Sequence, residues 1–362
     1  MSTLLEARAI TKVFGGGIMS RRQVVALEDF SLIVDDEEPT ITGVVGESGS
    51  GKTTMARLLL GLEPVTRGAV LFRGRDLGSL SRTERMEFRR QVQMIFQDPF
   101  EVYNSFYKVD HALEVPIAKF HLAGSREEAR DRIERALKAV GLQSDETLGR
   151  YPHQLSGGQR QRIMVARALL LEPKLIVADE PVSMIDASLR ATVLDDLRRL
   201  NEQFGISLIY ITHDLTTAYQ VSHNIVVLYQ GSVAEAGDVE MVVGDPQHSY
   251  TRLLISSIPL PDPDQRWGGE LLEVSRPEVA AGNRGCKFAP RCPHMMPVCL
   301  EKPPPLYLSG DHRVAACYLQ DQWPTITRED MGSIFIRRPL SSSAAAPKSA
   351  DQSTTSGLSP TQ

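Results

Sequence analysis

Three short stretches of this sequence carry side chains suited to phosphate chemistry. The first is Gly46-Glu47-Ser48-Gly49-Ser50-Gly51-Lys52-Thr53, which fits the pattern G-x-x-x-x-G-K-[ST]. Its glycines let successive backbone N–H groups turn inward as an anion nest, at the positive end of the helix that follows. Lys52 is expected to reach the β- and γ-phosphates, Thr53 to ligate magnesium, and Thr54 to complete the binding stretch. The second is Leu175-Ile176-Val177-Ala178-Asp179-Glu180, an apolar strand ending in two carboxylates. At the carboxyl edge of a parallel sheet these lie beside the phosphates. Asp179 then holds magnesium through water, and Glu180 polarises the attacking water as general base. Alone, such a strand end is surface solvation; the loop upstream gives it weight. The third is Leu155-Ser156-Gly157-Gly158-Gln159, followed by Arg160-Gln161-Arg162 and a helix. It forms a second exposed helix N-terminus suited to phosphate. A plain helix cap at Ser156 is the bland alternative, yet one nucleotide does not require two such sites in one chain.

The elements that must position these residues follow from periodicity. Ile41 to Gly46 reads as a buried strand feeding the loop, and Lys52 to Leu62 as a helix ended by Gly61 and Pro64. Gly68 to Leu77 reads as a hairpin turning at Gly74. Residues 98–165 differ: Arg126 to Val140 has apolar residues at helical spacing behind Ser125 as N-cap, so this region reads as a helical insert. Strands at Leu175–Ala178, Ser207–Thr212 and Ile225–Tyr229 then alternate with a helix over Ala187–Phe204. That alternation implies an α/β fold whose parallel sheet is covered on both faces. No internal repeat is present, so the chain holds one nucleotide-binding unit.

With all three motifs in order, residues 4 to about 250 resemble an ATP-binding cassette protein. The resemblance implies a P-loop NTPase fold: a RecA-like parallel-sheet core, an antiparallel β edge and a helical subdomain. It further implies that Phe14 stacks on adenine and that Gln97, in Gln97-Asp98-Pro99, senses magnesium and the transmembrane partner. Ser183-Met184-Ile185-Asp186 corresponds to the loop that crosses the dimer interface, and His213 to the histidine that contacts the γ-phosphate. Cassette proteins usually have Ala-Leu where this chain has Met184-Ile185, and often Thr-Ser at Val182-Ser183, which touches interface packing. Glu180, His213, Ser156 and Gly158 are intact, as a hydrolysing subunit requires. The implied mechanism places two cassettes head to tail, each ATP held between one chain's phosphate loop and the other chain's Ser156 region. ATP closes the pair because it binds the closed state better than the open one.

The remaining chemistry lies in four cysteines, all between Cys286 and Cys317, spaced Cys286-x5-Cys292-x6-Cys299-x17-Cys317. Four thiolates in a compact loop suit either tetrahedral zinc or a [4Fe–4S] cluster. Together with His248-Ser249-Tyr250 and the Pro-rich Ile258 to Pro263, this segment resembles the C-terminal extension of oligopeptide and dipeptide importer ATPases. The usual histidine–proline–tyrosine reads His248-Ser249-Tyr250 here. The resemblance implies a structural [4Fe–4S] cluster on Cys286, Cys292, Cys299 and Cys317, with zinc as the alternative, in a small irregular Cys-rich extension. The expected division is 1–250 cassette, 251–335 extension and 336–362 disordered tail, the last rich in Ser, Ala, Thr and Pro.

Composition narrows the class. Hydrophobic residues at 42% supply a sizeable core, and a net charge of -5 gives no basic footprint for nucleic acid. Met1 to Ala9 contains Glu6 and Arg8 where a secretory signal needs apolar residues, and no run approaches a membrane span. The chain is therefore expected at the cytoplasmic face of the membrane, as a peripheral subunit. The resemblance implies as partners a second cassette chain in a heterodimer, two transmembrane permease subunits and an extracytoplasmic substrate-binding protein. Di- or oligopeptides are the expected cargo, with oligosaccharides, nickel or glutathione as alternatives; Ser105 stands where peptide systems have a proline. A soluble cassette ATPase acting on ribosomes or DNA would usually show two cassettes or long coiled coils, and neither is present. The extension likewise speaks against an exporter subunit or a regulatory, non-transport cassette.

Overall fold

The computed structural model describes residues 2–15, 23–97, 103–183, 187–258 and 285–335. The chain opens with an antiparallel pair, β1 (Thr3–Phe14) and β2 (Val24–Asp35). β3 (Ile41–Val45) runs into the phosphate loop and α1 (Lys52–Leu59). β4 (Arg67–Phe72) and β5 (Arg75–Asp76) form a hairpin, followed by α2 (Arg82–Gln91) and β6 (Val92–Ile95). Arg73 and Gly74, both at positive φ, make the two-residue turn of that hairpin, which matches strand twist. A block of helices follows: α3 (Val109–Phe120), α4 (Arg126–Ala139), the short α5 (Ser144–Thr147) and α6 (Gly157–Leu169). Ser125 caps α4 by accepting from the Glu128 N–H, as its sequence position predicts.

The chain then resumes strand–helix alternation with β7 (Leu175–Asp179), α7 (Ala187–Phe204), β8 (Ser207–Thr212), α8 (Leu215–Val221) and β9 (Asn224–Tyr229). β10 (Ser232–Asp238), α9 (Val239–Gly244) and α10 (Ser249–Ser256) complete this part. After residue 285 come α11 (Val298–Glu301), β11 (Leu306–Leu308), β12 (Arg313–Ala315) and β13 (Thr325–Ile326).

Two sheets result. The smaller is antiparallel, in the order β2-β1-β4-β5. The larger runs β13-β11-β12-β10-β9-β3-β8-β7-β6, parallel from β9 to β6 and antiparallel from β9 to β13. Side chains alternate between two cores, as strand geometry demands. Ile41, Val45, Ile176 and Ala178 pack against the helical block, while Val44, Leu175 and Val177 face the small sheet. Burial on both faces explains why β3, β7 and β8 read as continuous apolar runs.

The Cys-rich region holds more order than its Pro-rich text suggests. β12 pairs antiparallel with β10, Glu235 opposite Ala315, and so extends the main sheet. Residues Glu329–Ile334 return to β2, burying Met331 and Ile334 in the core beneath the small sheet. Among the described residues no helix is long and apolar enough to cross a membrane. The expected tail, the Pro-rich 259–263 segment, Asp98, Pro99 and the Met184-Ile185-Asp186 loop lie outside the described residues.

Candidate functional site

The register of the parallel strands gathers the chemistry at one edge. Val45 pairs with Thr212, Asp179 with Ile211 and Ile95 with Ala178, so β3, β8, β7 and β6 end together. The residues that follow the first three are Gly46, His213 and Glu180, and Gln97 stands two positions beyond the end of β6. A sheet's carboxyl edge is where open α/β folds hold ligands.

Backbone contacts shape the loop. Gly46 has φ +154, and a Cβ there would stand 2.2 Å from the Leu228 carbonyl oxygen. Gly51 has φ +103, and its Cβ would meet the Ala26 carbonyl oxygen at 2.4 Å. Neither position accepts an L side chain. The Lys52 ammonium is turned into the loop, donating to the carbonyls of Gly46 (2.7 Å) and Glu47 (3.0 Å). Burial lowers its pKa, against the pull of Glu180 and Asp179 in the other direction. Ser50 is buried; Ser48, Gly49 and Thr53 are exposed and Glu47 and Thr54 half-buried.

Glu180 is the most constrained side chain here. Its φ is +46, in the left-handed region that non-glycine residues seldom enter. The strained turn is fixed by its N–H donating to Ile211 O at 2.9 Å and by the Ser183 hydroxyl donating to Glu180 O at 2.9 Å. Gln97 Nε2 donates to one carboxylate oxygen at 3.0 Å, and His213 Nδ1 lies 3.1 Å from the other. Burial pushes the Asp179 carboxyl up, opposed by a hydrogen bond from the Thr53 hydroxyl and by Lys52. Thr53, Asp179 and Gln97 are oxygen-bearing side chains at this edge that could hold a divalent cation.

Ser156 caps α6, accepting from the Gln159 N–H at 3.2 Å while the Gln159 side chain accepts from the Ser156 N–H at 2.9 Å. Gly157 and Gly158 form the first residues of that helix. α6 packs on β6, and β8 and β7 stand between β6 and β3. Three strand spacings, ~14 Å of sheet, therefore separate β6, on which α6 packs, from β3, which feeds the loop. Phe14 ends β1 opposite Val24, 42% exposed, with Lys12 Nζ 4.9 Å above its ring. Asp186 lies outside the described residues.

The Cys286, Cys292, Cys299 and Cys317 side chains line one small cavity with His248 and Phe288. None is disulfide-bonded. Burial, reinforced by the neighbouring cysteines, pushes the Cys317 thiol up to about 11, and burial also raises Cys286. A bound cation reverses that opposition to thiolates, so the donor set fits a soft metal group in type. Among the described residues no cluster of three or more His, Cys, Asp or Glu side chains is drawn together as a metal site.

The sequence reading missed two residues that touch the phosphate loop. The Glu47 N–H donates to the Tyr250 hydroxyl at 2.9 Å, and Arg291 forms paired bonds to the Glu47 carboxylate at 2.9 and 3.0 Å. Tyr250 is delivered by a turn built on buried Glu235, whose carboxylate accepts from the Gln247 and His248 N–H groups at 2.9 Å each. Burial pushes Glu235 up to about 7 and His248 down to about 4. The folded state thus holds the Glu235 proton more tightly than the unfolded chain, whose carboxyl titrates near 4.5. This contribution to stability is full below pH 4.5 and lost as pH climbs through about 7. The His248 contribution is present above pH 6.5 and lost as pH falls towards 4. The stability of Glu235→Gln relative to the natural chain is therefore expected to rise from about pH 5 to about pH 7.5, by up to about 3 kcal/mol in chemical denaturation. A difference that is flat or falls over that range contradicts the assignment.

Comparison with known proteins bears on this geometry. The family described as ABC transporter matches residues 27–183, and the one described as oligopeptide/dipeptide transporter, C-terminal region, matches residues 234–299. The chain is 42% identical over 275 residues to the oligopeptide transport ATP-binding protein OppF of Salmonella typhimurium, spanning 75% of this chain and 82% of that protein. OppF of Escherichia coli matches at the same identity and coverage. A solved dimeric ATP-binding cassette, in a post-hydrolysis state bound to ADP and Pi, superposes with a TM-score of 0.57 at 29% identity. That match covers 65% of this chain and 99% of the other.

Proposed function

Because this chain belongs to the ATP-binding cassette transporter family, we propose that it is the ATP-hydrolysing subunit of an importer for di- or oligopeptides. One observation carries the catalytic part: Glu180 stands at the sheet edge beside Lys52 and Asp179, with Gln97 and His213 on its two oxygens. The loop's N–H groups and Lys52 bind and orient the phosphates. Thr53, Asp179 and Gln97 would hold the magnesium that accompanies the nucleotide, which would supply neutralisation of phosphate charge. Glu180 takes the proton of the attacking water, and His213 faces the γ-phosphate. Ser156 to Gln159, with Asp186, serve the nucleotide of a second cassette chain, and Phe14 stacks on adenine.

The cargo reading rests on the oligopeptide transport proteins the chain resembles and on the extension matched at 234–299. A partner surface is at hand. A broad apolar cleft lies away from the phosphate loop, walled by Leu62, Val65, Leu77, Phe88, Val115 and Phe96, the residue before Gln97. A cytoplasmic helix of a permease subunit seated there would press on Gln97 and through it on Glu180. The peripheral, cytoplasmic-face placement follows from such a partner, as does a receptor for cargo outside. For the cysteines we favour a [4Fe–4S] cluster over zinc, supported by four thiols around one cavity. Such a group would brace the extension.

Expression with its permease subunits and a second cassette chain tests this reading. The complex is expected to co-purify and to hydrolyse ATP faster when peptide-loaded receptor is added. Full-rate hydrolysis by the lone chain, without co-purification, sinks it. After anaerobic purification, about four irons per chain with broad visible absorbance supports the cluster; stoichiometric zinc without iron replaces it.

A further inference from the structure

The cysteine loop and the phosphate loop are mechanically joined. Arg291 lies between Cys286 and Cys292, immediately before Cys292, in the one-turn 3-10 helix Ala289–Arg291. Its two terminal nitrogens meet the two oxygens of Glu47, the second residue of the phosphate loop, at 2.9 and 3.0 Å. Its guanidinium lies 5.5 Å from the Phe288 ring centroid and 5.8 Å from that of Tyr229. Phe288 and Tyr229 pack on each other at 5.3 Å and on fully buried Tyr250 at 5.5 and 4.5 Å, and Tyr250 receives the Glu47 N–H. The Cys292 thiol contacts the Ser249 hydroxyl at 3.3 Å, one residue before Tyr250.

A second strut comes from the same loop. Lys287, next to Cys286, donates to the Gln230 carbonyl at 2.8 Å and the Ser232 hydroxyl at 2.7 Å, and pairs with Glu28 at 2.8 Å. Between Gln230 and Ser232 sits Gly231, whose N–H donates to the Ser50 carbonyl at 2.9 Å. The phosphate loop is thus held at Glu47 directly and at Ser50 through one turn, both times from the cysteine loop.

We propose that Arg291, seconded by Lys287, is a positioning residue for nucleotide phosphates: through Glu47 it holds the phosphate loop in its anion-binding shape. The inference rests on the nucleotide-site reading above and adds to it a role for the extension in ATP affinity. Two features favour positioning over mere bracing. The pair is 44% and 42% exposed, and pairs so exposed add little to stability. Its fork geometry fixes direction as well as distance, which a single ammonium does not reproduce.

The test uses the full chain in its assembled complex, with ATP affinity, KM, kcat and thermal midpoint measured for Arg291→Ala, Arg291→Lys, Glu47→Ala and the double variant. Arg291→Ala is expected to raise Kd and KM for ATP about fivefold to tenfold. Its kcat should stay within about twofold and its midpoint close to the natural chain's, since an exposed pair is a small part of the fold's stability. Arg291→Lys should fall between the two. The double variant should be no worse than Glu47→Ala, because both substitutions remove one interaction. An unchanged Kd and KM in Arg291→Ala, losses that add in the double variant, or a Kd that worsens only in step with a falling midpoint overturns the proposal. Lys52→Ala separates the two levels. If it still binds ATP normally, the nucleotide-site reading itself fails; if it loses binding while Arg291→Ala does not, only the positioning role fails.

Discussion

Glu180→Gln is expected to lower ATP turnover of the assembled complex by about 10²–10⁴, the range a positioned general base supplies. ATP binding should survive or tighten, because the substitution keeps size and removes a negative charge beside the phosphates. The geometry makes the prediction sharp. Residue 180 sits at φ +46 with its oxygens 3.0 and 3.1 Å from Gln97 and His213. The carboxylate is thus aimed rather than mobile, and an amide in its place holds the position without accepting a proton. Glu180→Asp provides the contrast, since it keeps the base but withdraws it by one methylene from both partners. Single-turnover assays with radiolabelled ATP read both steps. If Glu180→Gln keeps more than a tenth of natural turnover, the proton goes elsewhere.

Ser156→Arg should abolish steady-state hydrolysis, by about 100-fold or more, while the isolated chain binds ATP as before. A long cation at this N-cap removes the hydroxyl and fills the approach to the first turn; oriented N–H donors of this kind are worth ~10²–10³ in rate. Binding should be spared because α6 flanks β6, ~14 Å of sheet from β3. Ser156 caps its own helix and is exposed. A cap lost to arginine costs about 1 kcal/mol, so the helix should persist and circular dichroism should be unchanged. Equal loss of ATP affinity and turnover would falsify the division of labour between chains.

The parts legible in the sequence are those whose causes are local. A Gly-rich loop after an apolar strand, a carboxylate pair at a strand's end and Ser125 before an amphipathic run each act within a few residues, and each is found where the pattern puts it. What escaped is fixed by partners far along the chain. Arg291 and Glu47 are 244 positions apart, and neither residue's neighbourhood announces the other. The pairing of β12 with β10 is set by Val314 and the adjacent Ala316 filling a core assembled by distant strands. Prolines and turns around them give three-residue strands no readable period. The cysteines announce their chemistry by type alone; His248, which walls their cavity beside Phe288, comes from the cap of α10, a separate segment.

The continuation of the main sheet by β12, β11 and β13 has a consequence for how the chain tolerates shortening. A protein cut after Ile258 would bare the outer side of β10, a seven-residue strand almost wholly buried in the intact molecule. Such a rim of unanswered backbone donors and acceptors recruits other chains. Shortened versions should therefore clump rather than shed an ornament, and lineages that discard the cysteine segment would need to blunt that rim by some other means.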